Sequence, residues 1–433
     1  MFRKILSNRL SLRLGSVLLL IALLVMPLFA ALPARAQGGW EVVASGLNNP
    51  RGLNFGPEGA LYVAEAGSGG AGPCESGPEG ARCYGTSGAI TRINLKKGTQ
   101  ERAVTGLPSL ASEGAAAIGP HDISFQGRGG AFFTVGYGGN PLDRETFLGS
   151  AGADFARMGR AVSSGNWELL NDLGKYEIDA NPTGDEIDSN PYGVLALPGK
   201  QVITDAGAND LLQVAKSGEV TTLATFPNRD VLAPPFLGLP AGTKIPMDAV
   251  PTTVTMGPDG AYYVGQLTGF PFPVGEANVY RVPAGGGTPE VYASGFTAII
   301  DIAFGADGSL YVLEIAKNGL LAAFGGGDWT GALIRVDSNG NRTEVASLGL
   351  VAPGGVAIGP DGAWYVSNYA IFPGIGEVVR IDPDYEPGNA PVAPIAAAPT
   401  LPSGSIQKFF GIDLSKLVVP RLDFSVRLPM IQR

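Results

Sequence analysis

The stretch Ile358 to Tyr369 reads "IGPDGAWYVSNY", and the chain says nearly the same thing elsewhere. "FGPEGALYVAEA" runs from Phe55 to Ala66, "MGPDGAYYVGQL" from Met256 to Leu267, and "FGADGSLYVLEI" from Phe304 to Ile315. Apolar and β-branched residues flank a turn in which Pro presets one dihedral and Gly accepts a positive φ, so each phrase reads as a tight hairpin between two strands. "HDISFQGRGGAFFTVG" and "YGVLALPGKQVITDA" follow the same plan without the Pro-Asp-Gly core, which makes six copies. Gly52, Asp122, Gly193, Thr253, Asp301 and Gly355 hold equivalent places, at separations of 70, 71, 60, 48 and 54 residues. A fixed phrase at uneven separation means variable loops on a repeated scaffold.

A third strand follows each hairpin, as in "GAITRINL", "ANVYRVPA", "GALIRVDS" and "GEVVRIDP", and a fourth in "TPEVYASG" and "RTEVASLG". Four strands per unit and six units predict an all-β, six-bladed β-propeller over residues 37–384. The last unit stops at its third strand, while "WEVVASGL" (Trp40 to Leu47) has the fourth-strand pattern with no unit before it. The N-terminal strand is therefore expected to close the ring on the last blade and remove two sheet edges at once.

The ends have their own character. Arg3, Lys4, Arg9 and Arg13 precede the apolar run "LGSVLLLIALLVMPLFAAL", and "ARA" fits a cleavage site, so residues 1–36 read as a signal peptide with Gln37 as the new terminus. The alternative is an uncleaved membrane anchor, since the run is long enough to span. Residues 385–433 open with a Pro/Ala-rich linker and end in an alternating "LDFSVRLPM", which would add a strand, dock on a partner, attach the protein to a cell surface or equally form a frayed tail. Export implies an extracellular, periplasmic or cell-surface setting. Cys74 and Cys83, in one Gly/Pro-rich loop, are the only cysteines, and an oxidising compartment favours a disulfide between them.

The 433-residue chain has a formal charge of −9, and the first 36 residues carry five basic and no acidic groups, so a chain beginning at Gln37 stands at −14. That field repels phosphate backbones, which argues against nucleic acid. The expected partner is a small molecule, glycan or protein, met by a monomeric propeller with no further membrane span.

Strand direction places the start of each inner strand and the end of each second strand at one face. The long insertions (66–87, 136–159, 315–330, and 107–120 and 227–250 between blades) fall there, and the Pro-Asp-Gly turns mark the other face. Loops on a rigid scaffold are where binding usually lives. Glu65, Asp205, Gln266, Glu314 and Asn368 end second strands, with Gly136 in blade two; Arg51, His121, Asp122, Asn190, Tyr192 and Asp301 cluster at the inner-strand starts, and Asn209 follows the third copy. Such carboxylates and amides could hold Ca²⁺ or another divalent cation through oxygen ligands, or they cap strand ends and bond neighbouring backbone. A lone histidine excludes a multi-His metal site and leaves His121 as a general base or a strand-end hydrogen-bonding group. "DANPTGDEIDSN" (Asp179 to Asn190) half resembles a calcium loop, with Asn190 where a bidentate Glu is needed.

"NNPRGLNFGPEGALYVAEAG", "GPHDISF", "NPTGDEIDSNPYGVLALPGKQVITDAGANDLLQV" and "TTLATFPNR" together resemble the ScyD/ScyE-type exported propellers over residues 40 to 383. The resemblance implies a secreted six-bladed propeller and carries no catalytic residues with it. More distantly the chain is similar to NHL-repeat proteins and to gluconolactonase/regucalcin-type propellers, which hold a divalent metal in the channel; Glu65, Asn190 and Asp301 are residues of the right type here. The leading expectation is a ligand- or partner-binding scaffold. The alternative is a metal-assisted hydrolase or lyase of the gluconolactonase-like class, with Glu65, Asp122, Asp205, Asp301 and Glu314 as candidate ligands or bases.

Overall fold

A computed structural model of the chain describes residues 39–386, apart from 78–79, 128–129 and 163–164. The expected signal peptide and its cleavage point, and the tail from residue 387 onward, lie outside the described residues.

Six antiparallel sheets carry the fold. The first three blades begin at the inner strands Pro50–Phe55, Pro120–Gln126 and Pro191–Leu197. The next three begin at Pro251–Met256, Ile299–Phe304 and Gly355–Ile358. Each inner strand packs beside the next, and the sixth beside the first, so the ring is closed and blades two and five stand opposite one another. Trp40–Leu47 completes blade six by pairing with Gly376–Ile381, from Trp40 opposite Ile381 to Leu47 opposite Gly376. The closing strand and the last blade are further tied by Asp382 N donating to Gly39 O at 2.8 Å and by the Trp40 and Tyr385 rings at 5.8 Å.

Apolar clusters fill the seams between blades. Leu53, Leu61, Val63 and Ile93 of blade one meet Ala357, Tyr365 and Val378 of blade six. Val264 and Tyr280 of blade four meet Val202 and Leu211 of blade three. The largest cluster joins blades five and six and continues beneath the insertions through Met247, Phe270, Leu320 and Trp329. Side chains of this size each contribute roughly 1.5–3 kcal/mol on burial.

The repeated phrase has a structural cause. In each copy of this turn the first Gly N–H bonds the carbonyl four residues on, across the turn, as from Gly257 to Ala261 O at 2.9 Å, and the last Gly adopts φ near +80° (Gly260, +78°). The turn acid then grips its own blade. Arg281 Nε donates to Asp259 at 2.7 Å, Arg335 to Asp307 at 2.8 Å, Arg380 to Asp361 at 3.0 Å, and Arg92 to Glu58 at 3.2 Å. Each Arg comes from the third strand, and in two copies a second-strand tyrosine joins: Tyr62 donates to Glu58 and Tyr365 to Asp361. One acid thus ties three strands at the face away from the insertions.

Three segments expected as loops are partly strand. Residues 66–87 contain the hairpin of Cys74–Gly77 with the start of a long third strand, Gly80–Asn94. Residues 107–120 continue the outer strand Thr99–Ser112 and add Ala115–Ile118. Glycines permit this, because the backbones of Gly69 and Gly85 approach so closely that a Cβ at Gly85 would lie 2.1 Å from Gly69 O. Cys74 and Cys83 face each other across the hairpin and form a disulfide. The 227–250 insertion likewise folds as a two-stranded hairpin, Arg229–Leu232 with Lys244–Met247.

Candidate functional site at the loop-rich face

The second strands end where the inner strands begin: Pro50 pairs with Glu65, Pro191 with Asp205, Pro251 with Gln266 and Ile299 with Glu314. All five polar groups at these ends accept backbone N–H groups. Glu65 accepts from Asn48 at 2.7 Å, Glu314 from Thr297 at 2.7 Å and Asn368 from Val351 at 2.7 Å, each donor lying 17 residues upstream in the chain entering the blade. Asp205 accepts from Asn190 at 2.6 Å, and Gln266 from Asn278 at 3.2 Å. Glu65 also accepts from Arg102 at 2.9 and 3.0 Å and from Thr91. Burial pushes Glu314 up to about 7 against the lowering pull of the Thr297 bond.

Blade two departs from this pattern for a steric reason. A Cβ at Gly136 would lie 2.1 Å from His121 Cε1 and 2.3 Å from Asn190 Oδ1, so the glycine makes room for both. Asn190 Oδ1 accepts from Tyr137 N at 3.2 Å. His121 Nδ1 lies 3.2 Å from Pro191 O, a bond that assigns the proton to Nδ1, and its ring lies 4.5 Å from that of Tyr192. Burial, then the nearby Arg51 guanidinium, push the imidazole down to about 3, so His121 is neutral. Asn209 holds a left-handed turn (φ +55°), and its Oδ1 accepts from Val250 N at 2.7 Å.

The channel positions come next. A register shift immediately before Asp122, Thr253 and Asp301 marks a bulge in each of those inner strands, a device that re-aims a side chain. Asp122 Oδ2 accepts from Val194 N and Asp301 Oδ2 from Val356 N, both at 2.8 Å, so each carboxyl reaches into the following blade. Thr253 donates to Asp301 at 2.6 Å from the preceding one. Burial raises Asp301 to about 6; burial and then Asp301 itself hold Asp122 well above the ordinary carboxyl range. Arg51 is buried; its Nη2 donates to Ala117 O at 2.8 Å, and it lies beside Tyr192. Arg51, His121, Asp122, Tyr192 and Asp301 therefore form one polar group about the axis, while Glu65, Asp205, Glu314 and Asn368 hold the entries to blades one, three, five and six.

No group of three or more acidic, His or Cys side chains among the described residues is arranged to hold a metal ion. The half-calcium loop spends its polar groups locally: Asn181 Oδ1 accepts from Gly184 N at 3.1 Å and its Nδ2 donates to Asp185 O at 2.8 Å. Two carboxyls that the sequence did not single out, Glu177 and Asp210, lie buried near Asp205. The available signal was Asp210 opening a mostly apolar strand, "DLLQVA".

These features define the chain as a six-bladed β-propeller. No protein-family model matches it, and no curated protein is a sequence match. Solved structures of similar fold include a streptogramin B lyase, 12% identical with a TM-score of 0.44, matched over 80% of this chain and 100% of that one. Regucalcin from Agrobacterium tumefaciens is 16% identical with a TM-score of 0.44, over 80% of this chain and 93% of its own. An auxiliary nutrient binding protein from Bacteroides thetaiotaomicron is 10% identical with a TM-score of 0.46, over 78% and 69%. At such identities the likeness concerns the fold alone.

Proposed function

We propose that this chain is an exported, ScyD/ScyE-like propeller that acts as a binding scaffold and docks a partner on its loop-rich face. One observation carries the reading. Leu142, Phe147, Leu232, Phe236, Val274, Leu348 and Ile375 are exposed apolar side chains, and all come from connections at that face. The other large exposed apolar residues, Val42, Leu170, Met256, Val291 and Tyr292, lie on blade strands, whereas Leu232 ends a strand of the 227–250 insertion. Apolar groups gathered on one face of a rigid ring are the ordinary signature of an interaction surface. The polar groups beside them at the blade entries are already committed to backbone, which suits a scaffold. The disulfide Cys74–Cys83 agrees with an oxidising setting, and among the described residues no helix is long and apolar enough to cross a membrane.

The test is retention on intact producing cells and their secreted fraction, comparing the natural chain with a Phe147→Asp/Leu232→Asp/Phe236→Asp variant. The scaffold reading expects at least a tenfold loss of retention in a variant whose melting temperature is unchanged. Equal retention removes it.

A second reading, the metal-assisted hydrolase or lyase, is favoured by the two carboxyls, Asp122 and Asp301, that share the axis. Turnover of lactones abolished by Asp301→Asn would establish it over the scaffold; no turnover with any added divalent ion would discard it.

A further inference from the structure

Blade three carries a set of carboxyls that the axial group does not use. Asp205 and Asp210 stand directly opposite one another on two paired strands, joined by a turn of four residues. Residues so placed have Cβ atoms about 5 Å apart, and like charges there repel. Asp205 is fully occupied: Ser189 Oγ donates to it at 2.6 Å, Asn190 N at 2.6 Å, and Gly207 N and Ala208 N at 3.1 Å. Asp210 is wholly buried, yet neither of its carboxylate oxygens has a hydrogen-bond partner among the described residues. Glu177 is 2% exposed, and neither of its oxygens has one either.

Glu177 is not loose. It lies on the helix Leu173–Ala180, whose first turn is capped by Asp172 accepting from Lys175 N at 2.8 Å. Asp172 is itself gripped by Arg144 at 2.5 and 2.9 Å and by Arg157 at 3.0 Å. The helix ends at Asn181, whose N–H donates to Glu177 O at 2.9 Å. The charges acting on Glu177 and Asp210 are all carboxyls: Asp205 and Asp188 on the first, Asp205 and Glu177 on the second. Arg82 reaches Asp188 but is ion-paired with Glu75, and Arg144, which packs against the same helix at Gly174, is held by Asp172.

Four buried acceptor oxygens with no donor would cost several kcal/mol unless something fills the space between them. A basic side chain does not. We propose that Glu177 and Asp210 hold one divalent cation, Ca²⁺ in preference to Mg²⁺, at the insertion-side end of blade three. Two carboxylates neutralise one divalent ion. Oxygen-only donors without His or thiolate select a hard cation, and the irregular meeting of a helix and a hairpin turn suits the tolerant coordination of Ca²⁺ better than the octahedron that Mg²⁺ demands. Two side chains are fewer than such an ion needs, so waters and backbone carbonyls complete its shell. This site is separate from the axial pair Asp122 and Asp301.

The experiment strips the full chain with EDTA and measures binding of Ca²⁺ and Mg²⁺ by equilibrium dialysis with elemental analysis, alongside thermal unfolding. The natural chain is expected to bind one Ca²⁺ at least tenfold more tightly than Mg²⁺ and to gain several degrees in Tm. Glu177→Gln/Asp210→Asn is expected to lose both effects, and Asp301→Asn to keep both. No bound Ca²⁺ in the natural chain overturns the proposal, as does Ca²⁺ binding that survives in the double variant or disappears only with Asp301→Asn. The natural-chain measurement decides the matter even if the double variant does not fold. An ion-free natural chain whose stability falls from pH 5 to pH 8, with a fall that Glu177→Gln/Asp210→Asn removes and Asp301→Asn leaves in place, would show that a shared proton, not a cation, fills the gap.

Discussion

Asp122 and Asp301 occupy the same inner-strand position on opposite blades of a six-membered ring, close enough for one carboxyl to raise the other's proton affinity. Each also bonds the inner strand of the blade that follows, so the pair braces the ring at two diametrically placed seams.

A carboxyl whose pKa is raised in the folded state binds its proton more tightly there than in the unfolded chain. The stability it contributes is greatest below the unfolded value near 4 and is lost as pH rises toward about 6, the folded value of Asp301. A rise of about two units corresponds to roughly 3 kcal/mol. Asp301→Asn is expected to remove that slope, so urea unfolding of the natural chain and the variant should diverge between pH 4 and 6 by a few kcal/mol and run parallel above pH 7.

Gly52 is the neighbour that lets Asp122 lie where it does. A Cβ there would sit 2.1 Å from Asp122 Oδ1 and 3.0 Å from Asp122 Cα. Gly52→Ala should destabilise the protein by about 1–3 kcal/mol through overpacking, while Gly285→Ala, whose Cβ would meet nothing within 4 Å, should change stability by under about 0.5 kcal/mol. Equal effects of the two in denaturant titration would contradict the crowding at the axis.

Ring closure gives a sharper outcome. Trp40 is buried and packs on Tyr385, so Trp40→Ala should cost about 3–5 kcal/mol. A chain beginning at residue 48 would leave the Gly376–Ile381 strand as an open edge, and size-exclusion chromatography should show it self-associating.

Replacing both cysteines by serine opens a loop with a sequence separation of 9 residues. The expected loss is about 2–3 kcal/mol by chain entropy. The Glu75–Arg82 pair and the Tyr137 hydroxyl bonded to Glu75 lie on that hairpin and its neighbour, so hydrogen exchange should rise first in residues 69–85.

The blade count, the hairpins and the closing strand were all legible, because a two-residue alternation survives in every copy of the phrase and a fixed turn in four of the six. The clamp from Asp259 to Arg281 was not, since its partner lies beyond a loop whose length differs in every blade. The Gly-rich run around Gly69 and Gly85 read as a loop, whereas those glycines allow two backbones to approach. At the candidate site the sequence placed Glu65 and Glu314 at second-strand ends, on the face that carries the insertions, and the structure has them there. The sequence could not tell that Asn48 and Thr297 would donate their backbone N–H groups to them. Glu177 and Asp210 escaped notice because a short helix after blade two and the start of a strand in blade three meet only in three dimensions.

The union of Trp40–Leu47 with the last blade fixes more than the ring's integrity. Gly39 and Asp382 are hydrogen-bonded neighbours, and the sheet they adjoin has the Trp40–Leu47 strand outermost. Gly39 and Tyr385 therefore stand side by side at the rim of the described propeller, away from the axle and its surrounding connections. A circular permutant that splices these two positions and breaks instead between Asp259 and Gly260 should retain the native architecture.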